Sequence, residues 1–275
     1  MISQAKRYST PTMAKLALPL VVLPAVACLQ GPSAQASTET AVLRFAHVVD
    51  LTHALSEETP YIPVPGITFP FSKTPIATVS KNGVAAYRWQ IHEHIGTQID
   101  APNHFFDDAI SLERLPVASL VVPLVVIDVS TRADSNADTS VMVADIEAWE
   151  QRHGRIPSQA AVFMRSGWDA RIGDAKAFVN RDASGAMHFP GFSAEAATFL
   201  ARSRAVAGIG VDTLSLDPGI DTAYAAHKAW LAMGKWGVEL VANLADAPPS
   251  GATVFVGATK VKGATGGPVR LIAVW

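Results

Sequence analysis

From residue 48 onward, short apolar runs rich in Val and Ile alternate with helix-patterned segments, but several runs have no helix behind them long enough for a crossover. Neighbouring parallel strands need a connection of about a dozen residues or more, usually helical. A chain that supplies this for only some of its strands is restricted to an α/β fold with a mixed sheet or barrel and helices packed outside. Strands are expected over 48–53, 84–91, 123–129, 161–164, 206–211, 254–256 and 269–274. Helices are expected over 145–153, stopped by Gly154, and from the cap Ser193 to 203, with Glu195 in the favourable first turn. A third should run over 222–233 to Gly234. The segment 61–75 carries Pro63, Pro65, Pro70 and Pro75 and reads as an irregular loop. Its aromatics Tyr61, Phe69 and Phe71 are placed either to cover a pocket or to pin the loop.

The chain has 275 residues, 49% of them hydrophobic, and a formal net charge of −2, enough for one domain over 37–275 with a sizeable core. No basic patch points to nucleic acid. Residues 1–36 read differently. Lys6, Arg7 and Lys15 precede an apolar run over 16–29, followed by Ala34-Gln35-Ala36, the order of a secretory signal peptide cleaved after Ala36. The run is short for a span and contains Pro19 and Pro24, so no membrane attachment is expected after cleavage. The single cysteine, Cys28, falls inside this leader, leaving the mature protein without a thiol or disulfide. A second reading makes Cys28 a lipid anchor behind Ala25-Val26-Ala27. On either reading the protein is exported, to a periplasm.

One stretch concentrates chemistry. Residues 92–104 hold His92, His94 and His104 with Glu93, Gln98 and Asp100. On a strand, His92, His94, Gln98 and Asp100 share a face, a donor set suited to a divalent metal. Positions 94 and 98 would lie roughly 13 Å apart on a straight strand, a gap that two side chains can barely span to one ion, so the chain should bend near Gly96. Pro102 ends regular pairing and lets His104 fold back. Glu93 and Thr97 are candidates to orient a ligand, although strand parity puts Glu93 on the opposite face.

His94-x-Gly96-Thr97-Gln98-x-Asp100-Ala101-Pro102-x-His104 resembles the His-x-Gly-Thr-His-x-Asp-x-Pro-x-His motif of the cyclase superfamily, which includes bacterial kynurenine formamidases and isatin hydrolases. Asp50-Leu51-Thr52-His53, Arg165-Ser166-Gly167-Trp168, 208–213, His227 with Glu239 twelve residues on, and 266–270 are similar to further motifs of that family in the same order. The resemblance implies a swivelling β/β/α fold, a homodimer or homotetramer, and metal-dependent hydrolysis of a small amide or cyclic amide. By position, it implies His94, Gln98 and Asp100 as ligands, His227 and Glu239 as ligands to a second metal position bridged by Asp100, and His104 as the proton-transfer residue. Gln98 departs from the motif. It replaces an imidazole nitrogen with a neutral amide oxygen, so Mn²⁺ and Zn²⁺ both stay open as the cofactor.

A metal-bound water would attack the carbonyl of a small-molecule substrate while His104 carries a proton to the leaving group. Phe105, Trp168 and Trp230 are the aromatics placed to stack on that substrate. Two alternatives share the same residues: hydrolysis of a lactone or cyclic imide, and a non-catalytic exported protein that binds metal or ligand. A serine nucleophile is disfavoured, since Ser166 is not in a Gly-x-Ser-x-Gly turn.

Overall fold

The computed structural model describes residues 44–275; the expected leader, its cleavage point, Cys28 and the segment 37–43 lie outside them. Among the described residues the strands run in chain order as β1 (Val48–Asp50), β2 (Ser72–Ala77), β3 (Ala86–Gln90), β4 (Gln98–Asp100), β5 (Val121–Asp128) and β6 (Ser140–Val141). They continue with β7 (Ala161–Arg165), β8 (Gly191–Phe192), β9 (Gly208–Val211), β10 (Trp236–Glu239), β11 (Ala252–Ala258) and β12 (Gly266–Val274). The α-helices are α1 (Val79–Asn82), α2 (Ser130–Ser135), α3 (Val143–His153), α4 (Ala175–Val179), α5 (Ala194–Ser203) and α6 (Ala225–Leu231). None of the described helices is long and apolar enough to cross a membrane.

The main sheet has the order β1-β12-β11-β5-β7-β9-β10-β4, and β4 pairs with β12 as well, so the strands from β12 round to β4 close into a barrel. Strands β5, β7, β9 and β10 are mutually parallel and the connections between them carry helices, whereas β4, β11 and β12 join antiparallel. This is the mixed barrel that the uneven supply of crossover helices requires.

Side-chain alternation divides the core in two. Ile99, Leu124, Val126, Phe163, Val238, Val254 and Leu271 fill the barrel. Val125, Ile127, Val162, Met164, Ile209 and Val211 face outward under Ile146, Trp149, Leu200 and Trp230 of the outer helices. Each such side chain contributes about 1.5–3 kcal/mol on full burial. Gln98 and Asp100 flank Ile99 in β4, so they project from the outer face of the barrel, into space that α6 helps to close.

Three local readings change. Within 84–91, Ala86–Gln90 form β3, but it pairs only with β2 in an exposed hairpin outside the barrel, and Pro75 lies in β2 at a shift in register. An edge strand at a bulge is where proline is tolerated. Helix α6 begins at Ala225 rather than 222, because the Asp221 carboxylate accepts from the N–H groups of Ala223 (2.7 Å) and Ala225 (3.2 Å) and Tyr224 takes a left-handed conformation.

Candidate metal centre

The chain from Ile91 to Thr97 is not a strand. Gly96 has φ +70°, where only glycine is at ease, and the bend brings His94 back over Asp100. Strand register does the rest. Gln98 lies opposite Glu239 of β10, and Asp100 lies opposite Gly237 on one side and Gly266 of β12 on the other. Both partners of Asp100 lack side chains, and the His94 ring occupies the space above Gly266, where a Cβ would lie 2.5 Å from its Cε1 atom. Thr97 Oγ1 donates to the Leu240 carbonyl (2.6 Å) and accepts from the His53 N–H (2.9 Å), which ties this bend to the end of β10.

Two donor groups share Asp100: His94, Asp100 and His104 in one, Asp100, His227 and Glu239 in the other, with ligand atoms within 4.8 Å of one another in each. His94 Nδ1 is 2.8 Å from Asp100 Oδ1, and His227 Nε2 is 3.2 Å from Asp100 Oδ2 and from Glu239 Oε1. The other nitrogen of His227, Nδ1, meets Asp217 Oδ2 at 2.5 Å. The Gln98 amide donates through Nε2 to Glu239 Oε2 (2.7 Å), and its Oε1 is buried with no hydrogen-bond partner. An orphaned amide oxygen costs free energy unless something electropositive meets it. Beside two buried carboxylates and two imidazoles, that is the place of a divalent cation, and the donor set fits one.

The electrostatics carry the same sign. Burial pushes the Asp100 carboxyl up, but His94 and His227 outweigh it and hold the group well below the usual carboxylate range. Burial and the neighbouring Asp100 raise Glu239. Burial acts to lower His94 and His227, yet carboxylates overcome it: Asp100 raises His94, and bonds to Asp100, Asp217 and Glu239 raise His227 well above the ordinary histidine value. His104 goes the other way. Burial drives it down to about 4, and its ring stacks on His94 at 3.9 Å between centroids.

The Cyclase family model, described as "Putative cyclase", matches residues 49–218, more than half of the chain. The chain belongs to the cyclase family. An isatin hydrolase of Roseibium aggregatum is 32% identical over 244 residues, covering 82% of this chain and 90% of that protein. Among solved structures, isatin hydrolase A from Ralstonia solanacearum has a TM-score of 0.79 at 35% identity, covering 83% of this chain and 91% of that one. Isatin hydrolase A from Labrenzia aggregata, bound to benzyl benzoate, has a TM-score of 0.78 at 34% identity, covering 83% and 93%.

In this cyclase-family chain the centre forms the floor of a cavity of about 550 Å³. His94, Gln98, His104, His227 and Glu239 reach it, and the walls are largely apolar: Tyr61, Ile62, Val64, Ile67, Phe105 and Leu214. Phe105 therefore stands where a substrate-stacking residue was expected, its ring 5.1 Å from that of His227. Trp168 and Trp230 do not, which corrects the expectation for both. Trp168 is buried against Phe178 and Phe189, donating Nε1–H to the Phe178 carbonyl, and Trp230 is buried in the core on α6, donating to the Trp236 carbonyl. Each indole satisfies its one donor inside the core, so neither ring reaches the cavity. Of the loop aromatics, Tyr61 lines the cavity, Phe69 packs edge-on against His92, and Phe71 is buried against Trp89.

Sequence reasoning missed Asp217, Tyr224 and Thr265. Asp217 was findable in principle: a buried ligand histidine generally gives its second ring N–H to a carboxylate, and Asp217 follows the expected strand 206–211. Glu93 is also reassigned. Because the chain is bent rather than extended there, Glu93 turns toward Thr265 rather than to the face opposite His94, its Oε2 accepting from the Thr265 N–H (3.0 Å) and Oγ1 (2.5 Å).

Proposed function

We propose that this protein is a metal-dependent hydrolase of small, neutral, cyclic amides of the isatin kind, with Mn²⁺ or Zn²⁺ held by His94, Gln98, Asp100, His227 and Glu239. The observation that carries this reading is the buried, partnerless Gln98 Oε1 in a cluster of two histidines and two carboxylates at the floor of an apolar cavity. A divalent ion bound there polarises a carbonyl and lowers the pKa of a bound water.

The chain's own residues account for the remaining chemistry. His104 is neutral at physiological pH because burial holds its pKa near 4, and its side chain lies beside the centre within the cavity. It is suited to take a proton from water at the centre and hand it to the departing ring nitrogen. Asp217 holds His227 through Nδ1, which leaves Nε2 directed at Asp100 and Glu239. Phe105 and Tyr61 offer faces for a flat substrate ring. No Lys or Arg appears among the described lining residues, which favours a substrate without a carboxylate over N-formylkynurenine.

The reading is tested with purified protein stripped of metal, then titrated with Zn²⁺ or Mn²⁺ and assayed against isatin, a cyclic imide and an aromatic lactone. Metal-dependent ring opening of isatin is expected, with both metal binding and turnover lost in Asp100→Asn. Turnover of the lactone or imide alone would reassign the bond that is cleaved. Tight metal binding with no turnover of any substrate would overturn the enzyme reading.

A further inference from the structure

A histidine that coordinates an ion must present one ring nitrogen with a free lone pair, and the proton on the other nitrogen needs a partner. For His227 that partner is the Asp217 carboxylate. For His94 no carboxylate touches the second nitrogen. Nε2 instead lies 3.0 Å from Thr265 Oγ1, whose own short contact is with Glu93 Oε2 at 2.5 Å.

The direction of these bonds follows from proton counting. A threonine hydroxyl has one hydrogen and two lone pairs, and a carboxylate only accepts. The hydroxyl hydrogen therefore goes to Glu93, and toward His94 the same oxygen can only accept. His94 must then carry a proton on Nε2, so Nδ1, whose contact in this structure is with Asp100 Oδ1 at 2.8 Å, is the nitrogen that can give its lone pair to an ion. Three further contacts make this seat rigid. Glu93 Oε2 also accepts from the Thr265 N–H, Thr265 O accepts from the Ala101 N–H at 2.8 Å, and Gly266 leaves open the space that the imidazole fills.

We infer that Glu93 and Thr265 form a positioning relay that fixes the tautomer and orientation of His94, so that Nδ1 and not Nε2 is its metal-binding atom. This rests on the reading of His94 as a ligand in the proposed function. It also makes Glu93, on the residue next to a ligand, a part of the site that acts through a residue 172 positions away. Neither Glu93 nor Thr265 is a catalytic residue: each acts only through the His94 ring.

The test uses the whole protein labelled with ¹⁵N-histidine and loaded with Zn²⁺ alone. Ring-nitrogen spectra are expected to show a protonated, slowly exchanging Nε2 and a metal-bound Nδ1 on His94. By calorimetry, Thr265→Val should lower zinc affinity about 10- to 100-fold and speed loss of the Nε2 proton, and Thr265→Ser should restore both. Glu93→Ala should weaken zinc binding too, since the freed hydroxyl can then turn and donate to Nε2. A proton on Nδ1 with zinc on Nε2 would overturn the relay while leaving the metal reading intact. So would a Thr265→Val protein with wild-type affinity and exchange. Should Thr265→Val fail to fold, the wild-type spectrum decides the matter alone. A wild-type protein that binds no zinc would overturn the proposed function, and this inference with it.

Discussion

The most direct strain on the centre comes from a single methyl group at Gly266. Its partner across the β12–β4 pair is Asp100, and a Cβ there would lie 2.5 Å from His94 Cε1, 2.7 Å from the Ile99 oxygen and 3.0 Å from His94 Nδ1. Carbon atoms settle at about 3.5–4.0 Å, so Gly266→Ala requires roughly 1 Å of retreat. The Ile99 oxygen belongs to β4, a strand paired on both sides, and yields little. The His94 ring must give way instead, and it is already stacked on His104. Overpacking of this size typically costs about 1–3 kcal/mol of stability. A displacement of about 1 Å in a reacting group costs on the order of 100-fold in rate. We therefore expect Gly266→Ala to fold with a lowered melting temperature, to bind zinc more weakly in calorimetric titration, and to lose most of its turnover of isatin. A variant that keeps its zinc affinity within about threefold, under 1 kcal/mol, and its full rate would refute the seating of His94 against Gly266.

Three further outcomes are expected. Gln98→His supplies an imidazole nitrogen in place of the amide oxygen and should raise zinc affinity by at least about tenfold, or 1.4 kcal/mol, while affinity for Mn²⁺ falls; an unchanged zinc titration would show that position 98 does not touch the ion. His104→Gln should lower kcat by about 10²- to 10⁴-fold with zinc affinity unchanged, whereas a parallel loss of affinity would make His104 a ligand rather than a proton carrier. Asp212 gives a pH dependence away from the centre. Burial lifts its carboxyl to about 7, although Ser166 and the Gly167 N–H bond to it, so between about pH 4 and 7 the folded state holds a proton that the unfolded state has released. Its contribution to stability then falls as pH rises through that window, by up to about 4 kcal/mol, and Asp212→Asn should flatten the corresponding slope in urea unfolding measured from about pH 5 to 8.

Much of the centre was legible because its residues are local or recur at family spacings. His94, Gln98, Asp100 and His104 fall within one short stretch, and Gly96 and Pro102 announce where the chain must turn. His227 and Glu239 came from the resemblance, and the structure brings both to Asp100. The helices over 145–153 and 193–203 were readable from their stop and cap residues, as α3 and α5 bear out. Strand parity misled at Glu93, since the period-2 rule holds only where the backbone stays extended, and the strand ends at Gln90. Aromatic residues near the motifs misled as well. Trp168 and Trp230 are close to the site in sequence, but their bulk and their single N–H donors are satisfied only in the core.

By itself, the sequence determined the class of fold, the bend between His94 and Asp100, and the kinds of donor available, because these depend on neighbours along the chain and on side-chain chemistry. Only the tertiary structure decided the pairings that turn donors into a centre. Glu239 stands opposite Gln98 because of the β10–β4 register. Thr265 reaches His94, and Gly266 makes room for it, because β4 closes the barrel against β12. Such contacts join residues more than a hundred positions apart, and no local pattern encodes them. They follow from closing the barrel, which sets every cross-strand neighbour at once.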